Sequence, residues 1–86
     1  MKKNGIKDAW DKGKPIVNGW SSIANTFSSE IMAASGFDSI TLDMQHGLVG
    51  YQKVVEMLQA ISAYNITPMV RVPWNDPSMV MKCLDA

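Results

Sequence analysis

The sequence has no long apolar run, no second cysteine and no excess of either charge, and each absence removes a class of protein. No stretch approaches the ~20 apolar residues that a membrane helix needs, so no membrane partner is expected. The N-terminal MKKNGIKDAWDKGK is basic, but no apolar core of signal-peptide type follows it. Eight Lys and Arg balance eight Asp and Glu. That balance leaves no electrostatic footprint for nucleic acid or an anionic membrane. An anionic small molecule stays compatible, because one well-placed arginine is enough to hold it. Cys83 is the single cysteine, so neither an internal disulfide nor a cysteine-rich zinc site is available. This fits a reducing, cytoplasmic compartment. Cys83 falls on the apolar side of a predicted helix and reads as a buried, inert thiol. Also missing are GxGxxG, a P-loop lysine, HExxH and GxSxG. The stretch GFDSITLD makes no phosphate-cradling loop, which counts against a nucleotide-binding open sheet.

What is present is a short chain of ordinary globular composition, 86 residues with 47% hydrophobic. Ile6, Ala9 and Trp10 predict a helix over 4–12, ended by Gly13. PIVNGW (15–20) reads as a first strand. Asn25 or Thr26 caps a second helix with Phe27, Ile31 and Ala34 on one face and Gly36 at its stop. SITLDM (39–44) is a second strand that turns polar at its C-terminal end. Tyr51, Val54, Val55, Leu58 and Ile61 give the strongest helical period in the chain. TPMVRV (67–72) is a third strand, ended by Pro73. Asn75 or Asp76 caps a last helix, with Pro77 in its first turn and Met79, Val80, Cys83 and Leu84 as its apolar face. The seven methionines read as packing residues. MVMKCLDA reads as helix interior, so the polypeptide is expected to continue.

Helix followed by three strand–helix pairs implies an α/β fold with a parallel sheet. A doubly wound sheet and a (β/α)₈ barrel both satisfy the order. In either, sites form at the C-terminal ends of strands. Asn18, Gly19 and Trp20 stand after the first strand. Asp43, Gln45 and His46 follow the second, and Arg71 ends the third, followed by Trp74. His46 is the only histidine. A carboxylate at Asp43 that accepts from one imidazole nitrogen would leave the other free to take a proton. Arg71 offers a fork of donors to a carboxylate or keto oxygen, or forms a structural ion pair with Asp43. Trp20 and Trp74 wall a pocket or anchor loops, Trp74 reading as structural. Lys53 and Lys82 sit on solvated helix surfaces.

The segments SSEIMAASGFDSITLDMQHG and PMVRVPWNDP resemble the HpcH/HpaI aldolase family, class II aldolases acting on 4-hydroxy-2-keto acids. The similarity runs from GW in the first strand to the closing LDA. It implies a (β/α)₈ (TIM) barrel, of which residues 1–86 are the N-terminal part: one helix plus the first three β–α units. It implies a hexamer, and a divalent metal (Mg, Mn or Co) on the keto and carboxylate oxygens of pyruvate. The family's metal carboxylates lie on later strands, so no metal ligand is named in this chain. By position, His46 would be the base, paired with Asp43. Arg71 would bind pyruvate and its enolate, with Trp20 and Gln45 lining the substrate site. Gln45 departs from the glutamate of many relatives, which puts hydrogen bonding around the metal in doubt. Asp85 would reach a neighbouring subunit's active site; from the residues alone it is a solvated helix-end charge. The partners implied are a 2-keto acid and an aldehyde, and the 86 residues alone are expected to be inactive. The alternatives are another barrel carbon–carbon lyase of citrate-lyase type, a phosphate-binding isomerase, or a non-catalytic α/β binding module.

Overall fold

A computed structural model describes residues 3–86. Four helices and three strands alternate: α1 (Gly5–Asp11), β1 (Asn18–Ser21), α2 (Thr26–Ala33), β2 (Ser39–Asp43), α3 (Tyr51–Ile61), β3 (Thr67–Arg71) and α4 (Pro77–Asp85). The strands form one parallel sheet in the order β1-β2-β3.

Local chemistry sets most boundaries. The Asn4 side chain accepts from the backbone of Ile6 and Lys7, Asn25 from Ser28, and Asp76 from Ser78, so three helices start on a side-chain oxygen. Gly13 and Gly36 adopt φ of 69° and 97° beyond α1 and α2, where a side chain would be strained. α3 starts at Gly50 without a side-chain cap.

The central strand β2 is buried along its whole length. Period-two alternation sends Ile40 and Leu42 to one face, where they join Ala33, Val54, Met57, Ile61 and Ile66 in the hydrophobic core. Ser39, Thr41 and Asp43 face the other way. There the Asn18 side chain donates to Ser39 Oγ and accepts from Thr41 Oγ1 at 3.0 Å. The sheet therefore has an apolar face under the helices and a polar, hydrogen-bonded inner face.

Three expectations change. β1 begins at Asn18, so Asn18, Gly19 and Trp20 lie within the strand. Pro15 has no N–H to offer a ladder, and Val17 is spent elsewhere: its N–H donates to Asp38 Oδ2 at 2.8 Å, and its carbonyl takes the N–H of Asp38 and Ser39. α2 also turns a different face inward. Ser29 and Ala33 are buried, while Phe27 and Ile31 are 68% and 52% exposed. Small residues let α2 approach α3, and the buried Ser29 hydroxyl is satisfied by the Asn25 carbonyl at 2.8 Å. On α4, Met79, Val80 and Cys83 are half-buried, but Leu84 is exposed. An apolar groove of about 550 Å³ runs beside the open edge of β3, lined among others by Leu58, Val70, Val72, Val80 and Cys83.

Leu42→Ala should cost about 2–5 kcal/mol of folding free energy, because the side chain is fully enclosed. Phe27→Ser should stay within about 0.5 kcal/mol in this chain. Urea denaturation of both variants measures the contrast, and equal midpoints would refute the assigned faces.

Candidate functional site

Parallel pairing sets Asp43 opposite Arg71 at the C-terminal ends of β2 and β3. Trp20, two residues earlier in register on β1, pairs with Thr41 and reaches diagonally toward Asp43. Alternation brings all three side chains to the polar inner face.

Asp43 is almost fully enclosed and accepts five N–H bonds. Its Oδ1 takes Arg71 Nε at 3.0 Å and the backbone N–H of Gln45 and His46 at 3.0 and 3.2 Å. Its Oδ2 takes Arg71 Nη2 at 2.7 Å and Trp20 Nε1 at 3.1 Å. The Arg71 contact is a two-point fork. The guanidinium carbon also stands 5.0 Å from the centre of the Trp20 ring, in cation–π range. Arg71 holds the Asp43 carboxyl far below the usual carboxylate range against the opposing effect of burial, with Trp20 and the two backbone N–H groups adding to it. Asp43 in turn raises the Arg71 guanidinium above its ordinary value. Two N–H of Nη1 and one of Nη2 have no partner among the described residues. Arg71 is thus both the ion pair and the open donor that the sequence left as alternatives.

The expected Asp43–imidazole bond is absent. Asp43 spends its lone pairs on five other donors and takes the backbone, not the ring, of His46. It shapes the loop 44–48 from within and so sets where His46 emerges. Gln45 and His46 are both exposed on that loop. The loop is tied to the one after β1, where Leu48 N–H donates to the Ser22 carbonyl at 3.0 Å. Gly47 sits in that junction. A Cβ there would overlap the Asp43 carbonyl oxygen and lie 3.1 Å from Ser22 Cα. Trp74 is 77% exposed and outside the cluster. Asp85 ends α4, exposed, with no bond to these residues. Cys83 is half-buried, and burial raises its thiol pKa.

Sequence reasoning missed Ser39, Thr41 and Gly47, and set Asn18 after the first strand rather than within it. The signal was there for Ser39 and Thr41: polar residues at every second position of Ser39-Ile40-Thr41-Leu42-Asp43 mark a polar inner face. Nothing local marked Gly47.

The described residues contain no group of three or more His, Cys, Asp or Glu that could hold a metal. Asp43, the one buried carboxylate here, is already saturated by N–H donors. The divalent metal implied by the family resemblance therefore has no site among these residues. No helix of the described residues is long and apolar enough to cross a membrane.

A parallel β/α sheet with a carboxylate–guanidinium–indole cluster at its C-terminal strand ends has the form of the opening units of a (β/α) barrel. The family model for HpcH/HpaI aldolase/citrate lyase matches residues 18–86. The chain belongs to that family. It is 41% identical over 83 residues to the 4-hydroxy-2-oxo-heptane-1,7-dioate aldolase of Salmonella dublin, covering 96% of this chain and 32% of the relative. Among solved structures it resembles an HpcH/HpaI aldolase/citrate lyase family protein of Burkholderia cenocepacia, with TM-score 0.86, 31% identity, and 96% of this chain against 34% of that one. It also resembles the citrate synthase SbnG, with TM-score 0.87, 26% identity and the same coverage of each chain. The chain spans about a third of the length of the curated relatives it matches.

Two outcomes check this geometry. Gly47→Ala should cost about 1–3 kcal/mol, because the atoms it meets are backbone and cannot swing aside; an unchanged urea midpoint would refute the packing. Asp43 has a lowered pKa in the fold, so its stabilisation is complete above the unfolded carboxylate value of ~3.9 and is lost as pH falls below it. Urea midpoints taken from pH 7 down to 3 should fall more steeply for the native sequence than for Asp43→Asn. Parallel curves would contradict the assignment.

Proposed function

We propose that residues 1–86 form the first part of a single (β/α)₈ barrel that cleaves or forms 4-hydroxy-2-keto acids. The products of cleavage would be pyruvate, or a related 2-keto acid, and an aldehyde. The observation that carries this reading is Arg71, anchored on one edge by Asp43 while three N–H groups stay unpartnered at the strand end. The name borne by the Salmonella relative supports it.

In this reading the free donors of Arg71 hold the carboxylate or keto oxygen of the substrate. Trp20 and Gln45 line the site. His46 removes the proton of the 4-hydroxyl. The O–H electrons become the aldehyde C=O, the C3–C4 bond breaks, and its electron pair forms an enolate whose oxygen charge faces Arg71. The imidazolium then returns a proton to C3. Asp43 acts by holding Arg71 and the loop of His46, not by touching the ring. No lysine is needed for a Schiff base.

The 86 residues alone are proposed to be inactive, since β1 and β3 each leave an edge open and the described residues offer no metal site. Asp85 is proposed to serve a neighbouring subunit in a homo-oligomer. A cytoplasmic setting agrees with the lone cysteine. The likeness to a citrate synthase supports a second reading, a carbon–carbon lyase of citrate-lyase type on the same residues.

In a protein joining these residues to the rest of the barrel, His46→Ala should lower pyruvate release about 10²–10⁴-fold with an unchanged circular dichroism spectrum. Undiminished turnover would remove His46 as the base. Loss of folding instead would favour a structural, non-catalytic role for the cluster.

A further inference from the structure

We propose that Trp20 is the positioning residue of Arg71, a clamp that fixes the guanidinium from its face while Asp43 fixes one edge, so that the remaining edge is presented to a planar oxyanion. The inference rests on the reading of Arg71 as the anion-binding group.

One indole makes two separate contacts with the pair. Its Nε1–H donates to Asp43 Oδ2 at 3.1 Å, the same oxygen that takes Arg71 Nη2 at 2.7 Å. Its ring centre lies 5.0 Å from the guanidinium carbon. The three groups therefore close a triangle of indole, carboxylate and guanidinium, drawn from three strands. Each contact covers a freedom that the others leave. The two-point fork fixes the guanidinium in the plane of the carboxylate but allows it to rock about the line joining the two oxygens. A ring against its face stops that rocking on one side. The indole N–H fixes the carboxylate in turn, so the fork has a fixed base.

Arginine has many rotamers to lose when it binds a ligand. Losing them in the unliganded protein leaves less to be lost at binding.

The test uses the full chain labelled with ¹⁵N, with Trp20→Phe and Trp20→Leu. Phenylalanine keeps a ring face and removes the N–H. Leucine keeps apolar bulk and removes both contacts. The readouts are the solvent-exchange rate of Arg71 Nε–H and the acid midpoint of the Asp43 carboxyl, both by NMR. In Trp20→Leu the Nε–H should exchange about tenfold faster or more. In Trp20→Phe exchange should rise less, while the Asp43 midpoint moves up toward the ordinary carboxylate value. Exchange in Trp20→Leu within about twofold of the native chain, in a well-dispersed spectrum, would overturn the clamp. If Trp20→Leu fails to fold, an unmoved Asp43 midpoint in Trp20→Phe overturns it instead. Oxalate, a planar dianion shaped like the pyruvate enolate, is then titrated into the native chain. The same titration is made into a protein joining these residues to the rest of the barrel; no shift at Arg71 there would count against the keto-acid reading, and the exchange rates, taken without oxalate, still decide the clamp.

Discussion

The Asp43 carboxylate is the constraint on which the rest of the site depends. A buried anion is costly unless its lone pairs are used. Here they are used by five N–H groups from β1, β3 and the loop after β2. The same five bonds that make the burial tolerable also tie three strands together at one end. They set the orientation of Arg71, the position of Trp20 and the path of residues 44–48. Structural need and site geometry are satisfied by one group.

The sheet divides its two faces cleanly. Ile40 and Leu42 look toward the helices and complete the apolar core. Ser39, Thr41 and Asp43 look inward and are bonded to Asn18, Trp20 and Arg71. The polar chemistry concentrates at the C-terminal strand ends, as parallel β/α architecture favours. An apolar groove lies elsewhere, between α3, β3 and α4. Its lining of aliphatic side chains suits packing against further structure, whereas the strand-end cluster suits an anion.

Much of this was legible in the residues. Strand and helix order followed from hydrophobic period and from Asn, Asp, Gly and Pro at the element ends. Asp43, His46 and Arg71 stood out because parallel β/α folds place their sites at the C-terminal ends of strands. The error in α2 arises because period counts apolar side chains. Phe27 and Ile31 outweigh Ser29 and Ala33 on that count, yet the small pair is buried because it lets two helices close up. The start of β1 was misplaced because the Val17 N–H bonds to the Asp38 side chain outside any ladder.

By itself the sequence determined which groups exist and roughly where along each strand they stand, because spacing and capping act over a few residues. Only the tertiary structure decided who bonds to whom. Residues 20, 43 and 71 meet through strand pairing, and the five donors that meet at Asp43 come from separate segments of the chain. The imidazole of His46 gets no share of those oxygens, since nearer N–H groups already fill them, and that allocation is a property of three-dimensional proximity that no local pattern encodes.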